Sequence, residues 1–373
     1  MFYKTSSSSK RVLLSGYYGF GNTGDEAILQ AAVEGFKKSG LIPVVLTHTP
    51  EKTASWLNIE TYGRRETKTI LNGIRKSDLV LSGGGGLLQD VTSLRSLIYY
   101  LRIPIIAKCL GKKTMVFAQG IGPIQTKKGK LYTKLALNYF VDKITVRDEE
   151  SKKLLLDLGV KKQVAVTADM ALLLECAADK ESNFAAEKYG IPKGNCCGVV
   201  LRNWNGIEPL IPLIGKAISE FSRKVSLTPV LLSFQPEMDN VITLALQKKI
   251  SVPSIAITDP LLPKEFLEII SNFEILIGMR YHSLIFSSIC QVPFGGIAYD
   301  PKVKQLAVSL GFPWIPYEEL NRESLFGLLS ELWKNRAALK KSLSEKLPLL
   351  RNKSEKNLIE AANLMNSAKV SRF

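Results

Sequence analysis

The chain has 373 residues and carries 50 Lys and Arg against 34 Asp and Glu, a formal net charge of +16. That length predicts two domains, and a hydrophobic fraction of 46% excludes a disordered chain. The charge favours anionic partners, whether phosphorylated substrates, nucleic acid or an acidic membrane surface.

In chain order, Met1-Phe2-Tyr3-Lys4-Thr5 and the four serines Ser6–Ser9 lack the apolar core of a signal peptide. Arg11–Ser15 predicts a short strand. The loop Gly16-Tyr17-Tyr18-Gly19-Phe20-Gly21-Asn22-Thr23-Gly24 follows, and Asp25-Glu26 opens a helix with apolar Ile28, Ala31, Ala32, Gly35 and Phe36 at helical spacing. Gly40 ends that helix and Pro43–Thr47 predicts the next strand. Gly19 to Gly24 matches the GxGxxG pattern of a dinucleotide site. A ribose needs a carboxylate at the end of the second strand, however, and Thr47-His48-Thr49 stands there. The loop is left with two readings: backbone N–H groups approaching a phosphate or sugar, or a turn that packs the helix on the sheet.

Ser77–Ser82 predicts a buried strand, with Gly83–Gly86 after it as a bare backbone lip at the same sheet edge. Lys113–Ala118 predicts another strand, ending in Gln119-Gly120-Ile121-Gly122-Pro123. The run from Tyr139 to Val146 leads into Arg147, either an anion ligand or the partner of Asp148 or Glu150. Glu175 to Lys193 is polar and predicts a linker, which divides the chain into domains 1–175 and 176–373. A second series of strands and helices starts at Cys197–Leu201. It includes strands at Leu227–Phe234 and Ile255–Ile257, and Phe273–Ile277 leads into Gly278-Met279-Arg280-Tyr281-His282-Ser283. Pro293–Ala298 predicts a last strand before Tyr299-Asp300-Pro301-Lys302-Val303. Beyond Tyr317 the chain is helical and basic, with Lys334, Arg336, Lys340, Lys341, Lys346, Arg351, Lys353 and Lys356. That run suits a solvated face or contact with anionic lipid.

The alternation predicts an α/β protein with two doubly wound Rossmann-type domains facing across a cleft, the GT-B-like architecture. Five cysteines, none in a CxxC pair, predict a reducing compartment with neither a disulfide framework nor a metal site. No apolar run reaches the ~18 residues of a membrane span. The expected location is cytoplasmic, at the inner face of the cytoplasmic membrane where the basic helices touch it. Aromatic and basic residues are not interleaved, so no nucleic acid is expected.

Of the two histidines, His282 stands beside Arg280 at the carboxyl end of a strand, the ligand-binding edge of such sheets. It is the candidate for proton transfer on an anionic substrate, against the alternative of a core histidine capping a helix.

Six stretches in order carry a resemblance: Gly16–Ala27, Ser82–Asp90, Gln119–Pro123, Arg147–Ser151, Met279–Ser283 and Tyr299–Val303. Together they look like the polysaccharide pyruvyl transferase family, closest to its CsaB-like branch. The resemblance implies pyruvate transfer from phosphoenolpyruvate to a sugar as a ketal, with release of phosphate. In that branch it implies N-acetylmannosamine of a lipid-linked disaccharide, ketalised at its 4 and 6 oxygens, for a wall polymer that anchors surface-layer proteins. It assigns phosphoenolpyruvate binding and catalysis to Arg147, Arg280, His282 and Lys302; Tyr281 stands where many members carry Leu. Phosphoenolpyruvate is a co-substrate, and no cofactor is expected. Gly19, Gly21, Asn22, Gly24, Asp25, Gly84, Gly85, Asp90, Gln119 and Ser283 are the candidate substrate-binding positions, with Asp25, Glu26 or Asp90 as base. The rival reading is a GT-B glycosyltransferase with a nucleotide-sugar donor.

Overall fold

The computed structural model describes residues 10–176 and 184–367. Ser6–Ser9 and residues 177–183 of the expected linker lie outside them. Described residues 10–20, 25–173 and 350–367 make one compact unit; 21–24, 174–176 and 184–349 make the other. The chain thus passes between the units near 173/174, with residues 21–24 in the second unit and 350–367 in the first.

The first unit runs β1 (Arg11–Ser15), α1 (Thr23–Lys38), β2 (Ile42–Thr47), α2 (Pro50–Leu57), β3 (Glu60–Gly63), α3 (Thr67–Arg75) and β4 (Leu79–Leu88). It continues with α4 (Leu94–Cys109), β5 (Lys113–Ile121), α5 (Lys127–Phe140), β6 (Lys143–Val146), α6 (Glu149–Asp157) and β7 (Val164–Val166). Its sheet is seven-stranded and parallel, in the order β3-β2-β1-β4-β5-β6-β7. Strand order reverses between β1 and β4. Helices cover both faces of such sheets, so the strands read as unbroken apolar runs such as Val12–Leu14 and Val44–Leu46, all buried.

The second unit runs α7 (Phe184–Lys188), β8 (Cys196–Val200), α8 (Ile211–Val225), β9 (Thr228–Leu232), α9 (Pro236–Gln247), β10 (Ile255–Ile257) and α10 (Pro263–Ile270). Then come β11 (Ile275–Gly278), α11 (Tyr281–Ile289), β12 (Phe294–Ala298), α12 (Pro301–Leu310), β13 (Trp314–Pro316) and α13 (Arg322–Asn366). Its parallel sheet has the order β10-β9-β8-β11-β12-β13, reversing between β8 and β11. Ile214, Ile218 and Phe221 of α8 pack over Val199 and Leu231 on one side of this core.

Three expectations need correction. The glycines 83–86 are not a lip beyond the strand: β4 continues through them to Leu88, pairing with β5 past an irregularity at Gly85. Tyr139 and Phe140 end α5 rather than start a strand, and Val141 caps it with an extended backbone. The basic C-terminal region is one 45-residue helix with Pro348 inside it, and residues from Leu350 belong to the first unit. There the Asn357 side chain accepts from the Thr167 hydroxyl at 2.9 Å and donates to the Ala168 carbonyl at 3.1 Å. The Ser354 hydroxyl donates to the Asp169 carbonyl at 2.9 Å. Part of the basic run is likewise engaged: Arg336 stacks on Trp333, Lys346 donates to the Leu310 carbonyl and Arg351 to the Leu172 carbonyl. Lys334, Lys340, Lys341, Lys353 and Lys356 are exposed.

Candidate functional site

In the second unit β8, β11 and β12 are neighbours, and Gly278 is in register with both Val200 and Gly296. Residues just past these positions emerge together at the carboxyl edge, beside the reversal of strand order. They include Arg202, Arg280, His282 and Lys302. Arg280 is the N-cap of α11 with an extended backbone. Its guanidinium grips the wholly buried Asp239 of α9 with Nε donating to Oδ2 at 2.9 Å and Nη2 to Oδ1 at 2.6 Å. That fork–fork pairing fixes the guanidinium plane and uses two of its five donors. Asp239 also accepts from the Asn203 amide, tying the end of β8 to the same carboxylate.

His282 follows in the first turn of α11. A Cβ on Gly24 would fall inside its ring, overlapping Nδ1 and Cγ and lying 2.8 Å from the His282 Cβ. Gly24 is therefore a glycine because the imidazole rests on it. The loop is held there by Thr23, whose amide donates to the Phe234 carbonyl at 3.0 Å, and by Asn22, whose Oδ1 accepts from the Gly24 amide at 3.2 Å. Asn22 and Gly24, read from sequence as substrate positions of the first domain, thus belong with His282 in the second unit. Ser283 is fully buried and its hydroxyl donates to the Arg280 carbonyl at 2.6 Å, so it braces the turn rather than facing a ligand. Lys302 sits in the first turn of α12; its Nζ lies 3.1 Å from Asp300 Oδ2, and its amide donates to Asp300 Oδ1.

The first unit holds Arg147, directly after β6. Its side chain is 5% exposed, with Nε 3.3 Å from Asp148 and Nη1 3.5 Å from Asp169. A Cβ on Gly120 would come within 2.6–2.7 Å of its Nη2, Cζ and Nε, so Gly120 is the floor of the guanidinium's slot.

Arg147, Arg280 and Lys302 each have carboxylate partners. Arg202, which sequence reading missed, does not. Its Nη1 donates to the Tyr299 hydroxyl at 2.5 Å and its guanidinium lies over the rings of Trp204 and Tyr299, with no carboxylate paired to it among the described residues. The signal was present: like Arg147 and Arg280, Arg202 closely follows an apolar strand.

Other first-domain positions prove to be architecture. Gly84 and Gly85 have φ of +81° and +77°, and a Cβ on either would overlap Ile28 or Asp25 Oδ1 of α1. They seat that helix against β4. Gln119 is wholly buried; with its amide nitrogen donating to the Ser82 carbonyl at 3.2 Å, its oxygen accepts from the Leu88 and Leu87 amides at 3.0 and 3.2 Å. It closes the irregularity in β4. Asp90 accepts from the Gln125 amide at 2.7 Å and from the Thr126 amide and hydroxyl at 2.8 and 2.6 Å. Burial would raise its pKa, but these hydrogen bonds outweigh burial and hold it lowered. A carboxylate so engaged is a loop anchor and a poor base. The Gly19 amide donates to Glu26 at 2.7 Å, so this loop amide is already engaged by a carboxylate. Asp25 is buried in the first turn of α1. Gly21 has open space around it.

Among the described residues no group of three His, Cys, Asp or Glu is placed to hold a metal, and no helix is long and apolar enough to cross a membrane.

The fold is similar to S. aureus MnaA in a co-structure with UDP, at 16% identity and TM-score 0.67, covering 98% of this chain and 100% of that one. It is also similar to a glycosyltransferase from Rickettsia africae ESF-5, at 12% identity and TM-score 0.65, covering 97% and 100%. A UDP-GlcNAc 2-epimerase from Neisseria meningitidis bound to UDP-GlcNAc aligns at 14% identity and TM-score 0.64, covering 95% and 99%. These likenesses establish the GT-B-like fold. No curated protein matches the sequence significantly. The model of one family, polysaccharide pyruvyl transferase, matches residues 22–301, which take in Gly24, Arg147, Arg202, Asp239, Arg280 and His282 and stop one residue short of Lys302. The chain belongs to the polysaccharide pyruvyl transferase family.

Proposed function

We propose that the chain moves the pyruvyl group of phosphoenolpyruvate onto two hydroxyls of a saccharide, forming a ketal and releasing phosphate. The acceptor in this reading is N-acetylmannosamine of a lipid-linked disaccharide, a precursor of wall polymers that anchor surface-layer proteins, as in the CsaB-like branch. The observation that carries it is the grouping of Arg202, Arg280, His282 and Lys302 at one sheet edge, with Gly24 moulded to the imidazole. Phosphoenolpyruvate bears close to three negative charges. Arg280 retains three donors for its carboxylate or phosphate, and Arg202 supplies a charge that no carboxylate among the described residues offsets.

His282 gives a proton to the donor's methylene carbon, which becomes a methyl group and leaves an oxocarbenium-like centre. One acceptor hydroxyl adds there and loses its proton; phosphate departs as its C–O bond breaks; the second hydroxyl closes the ring and loses its proton in turn. Phosphoenolpyruvate is consumed as co-substrate and no cofactor takes part. The exposed lysines of α13 support contact with anionic lipid at the inner face of the cytoplasmic membrane, where a lipid-linked acceptor resides.

The test is phosphate release from phosphoenolpyruvate with a panel of lipid-linked and synthetic disaccharides. Wild type should turn over, and His282→Ala should lose on the order of 10²–10⁴ in rate while keeping its melting temperature. Activity near wild type in that variant removes the acid role. The structural relatives with uridine nucleotides favour a second reading, a nucleotide-sugar glycosyltransferase. A rise in melting temperature with a UDP-sugar but none with phosphoenolpyruvate would select it.

A further inference from the structure

The carboxyl edge of β1, β2 and β3 carries a second cationic group, remote in sequence from the motifs above. Arg64 follows β3 directly and is 8% exposed. Its Nη1 donates to the Gly16 carbonyl at 2.9 Å, and its Nε and Nη2 donate to the hydroxyls of Tyr99 and Tyr100, both at 3.2 Å. Three of its five donors are used, all on neutral oxygens. Its Cζ lies 4.5 Å from the centre of the Tyr99 ring, and Arg102 lies 4.3 Å from the same centre. Among the described residues the buried Arg102 Nε has no hydrogen-bond partner. No carboxylate pairs with either guanidinium among the described residues. Two arginines thus share one tyrosine ring with nothing negative between them. Such an arrangement carries a repulsion that a bound anion would relieve.

A third arginine, the exposed Arg65, reaches His48, Nη2 to Nε2 at 3.3 Å. His48 ends a stack of half-exposed rings: Tyr17 lies on Phe20 at 4.2 Å and Phe20 on His48 at 4.4 Å, both nearly parallel. Arg64 sits 4.9 Å from the Phe20 centre, joining the stack to the cations. Flat rings at a rim suit the apolar face of a sugar, and uncompensated guanidinia suit phosphate.

We infer that this edge is a binding subsite for a sugar bearing a phosphate or diphosphate, with the phosphates on Arg64, Arg65 and Arg102 and the sugar against the Tyr17–Phe20–His48 stack. It rests on the reading of the chain as a saccharide pyruvyl transferase and puts the phosphorylated part of that acceptor on residues other than those assigned to the donor.

Inorganic diphosphate, inorganic phosphate, N-acetylglucosamine 1-phosphate and phosphoenolpyruvate are titrated calorimetrically, with sulfate at matched ionic strength as background. Wild type should bind diphosphate, and Arg65→Gln and Arg102→Gln should each weaken it at least tenfold. Lys302→Gln should leave diphosphate binding unchanged. N-acetylglucosamine 1-phosphate should bind more tightly than inorganic phosphate, and Phe20→Leu should abolish that difference. Arg65 is exposed, so its variant carries the test even if Arg102→Gln unfolds. The subsite is overturned if wild type does not bind diphosphate, if Arg65→Gln binds it equally well, or if the arginine variants lose phosphoenolpyruvate instead. Absence of phosphoenolpyruvate binding to wild type would overturn the donor reading alone, because the diphosphate arm does not depend on it.

Discussion

Gly24 and Asp239 each hold one member of the proposed reactive pair, His282 and Arg280, in place. A methyl group on residue 24 forces the His282 ring aside, and a misplacement of about 1 Å near the chemistry typically costs about 10²-fold in rate. Gly24→Ala should therefore lose turnover by that order with a small change in melting temperature. Gly21→Ala is the control: nothing lies within 4 Å of its Cβ position, and only its φ of +69° resists a side chain. It should keep its activity while losing about 1–2 kcal/mol of stability. Asp239→Ala strands the Arg280 guanidinium, which is 10% exposed, and breaking a buried pair this way costs about 3–5 kcal/mol. The check is chemical denaturation beside a phosphate-release assay; a stable, fully active Asp239→Ala would refute the positioning role.

The β4 strand is the element on which the first unit turns. Its glycines let the helix α1 lie directly on strand backbone, with Ile28 over Gly84 and Asp25 over Gly85. The Tyr18 hydroxyl bonds the Gly83 carbonyl at 2.8 Å from beneath. Burial first, then the nearby Asp25 and Glu26 carboxylates, pushes the Tyr18 phenol well above its ordinary pKa, so it remains a hydrogen-bond donor. Gly85→Ala meets both a clash and a left-handed backbone. It should cost about 1–3 kcal/mol for the overpacking alone, read as a lower urea midpoint with unchanged slope. Apolar runs such as Val12–Leu14 and Ile275–Ile277 made most strands legible. The glycine half of β4 was not, because glycine carries no side-chain pattern and only the β5 partner shows that pairing continues. Short strands such as β3 and β13 were missed for a related reason, since three or four half-buried residues give little periodicity. The strand-end cations could be found from position, but their carboxylate partners Asp239 and Asp169 come from distant segments that no local spacing reveals.

The whole molecule assigns its last helical turns to the first unit, through Ser354 and Asn357. Asn357→Ala would take from the Ala168 carbonyl its side-chain donor, at about 1–3 kcal/mol for an unsatisfied buried group, while the Thr167 hydroxyl keeps the Val146 carbonyl as acceptor at 3.0 Å. Calorimetry should show the loss in the transition of the first unit, with that of the second unit unmoved; the reverse pattern would refute the assignment. The same connectivity orders biosynthesis. Residues 350–367 leave the ribosome only after every residue of the second unit has been made. The half of the nascent chain synthesised first is therefore completed last, and until then its exposed edge around Thr167–Asp169 is the surface a chaperone would have to guard.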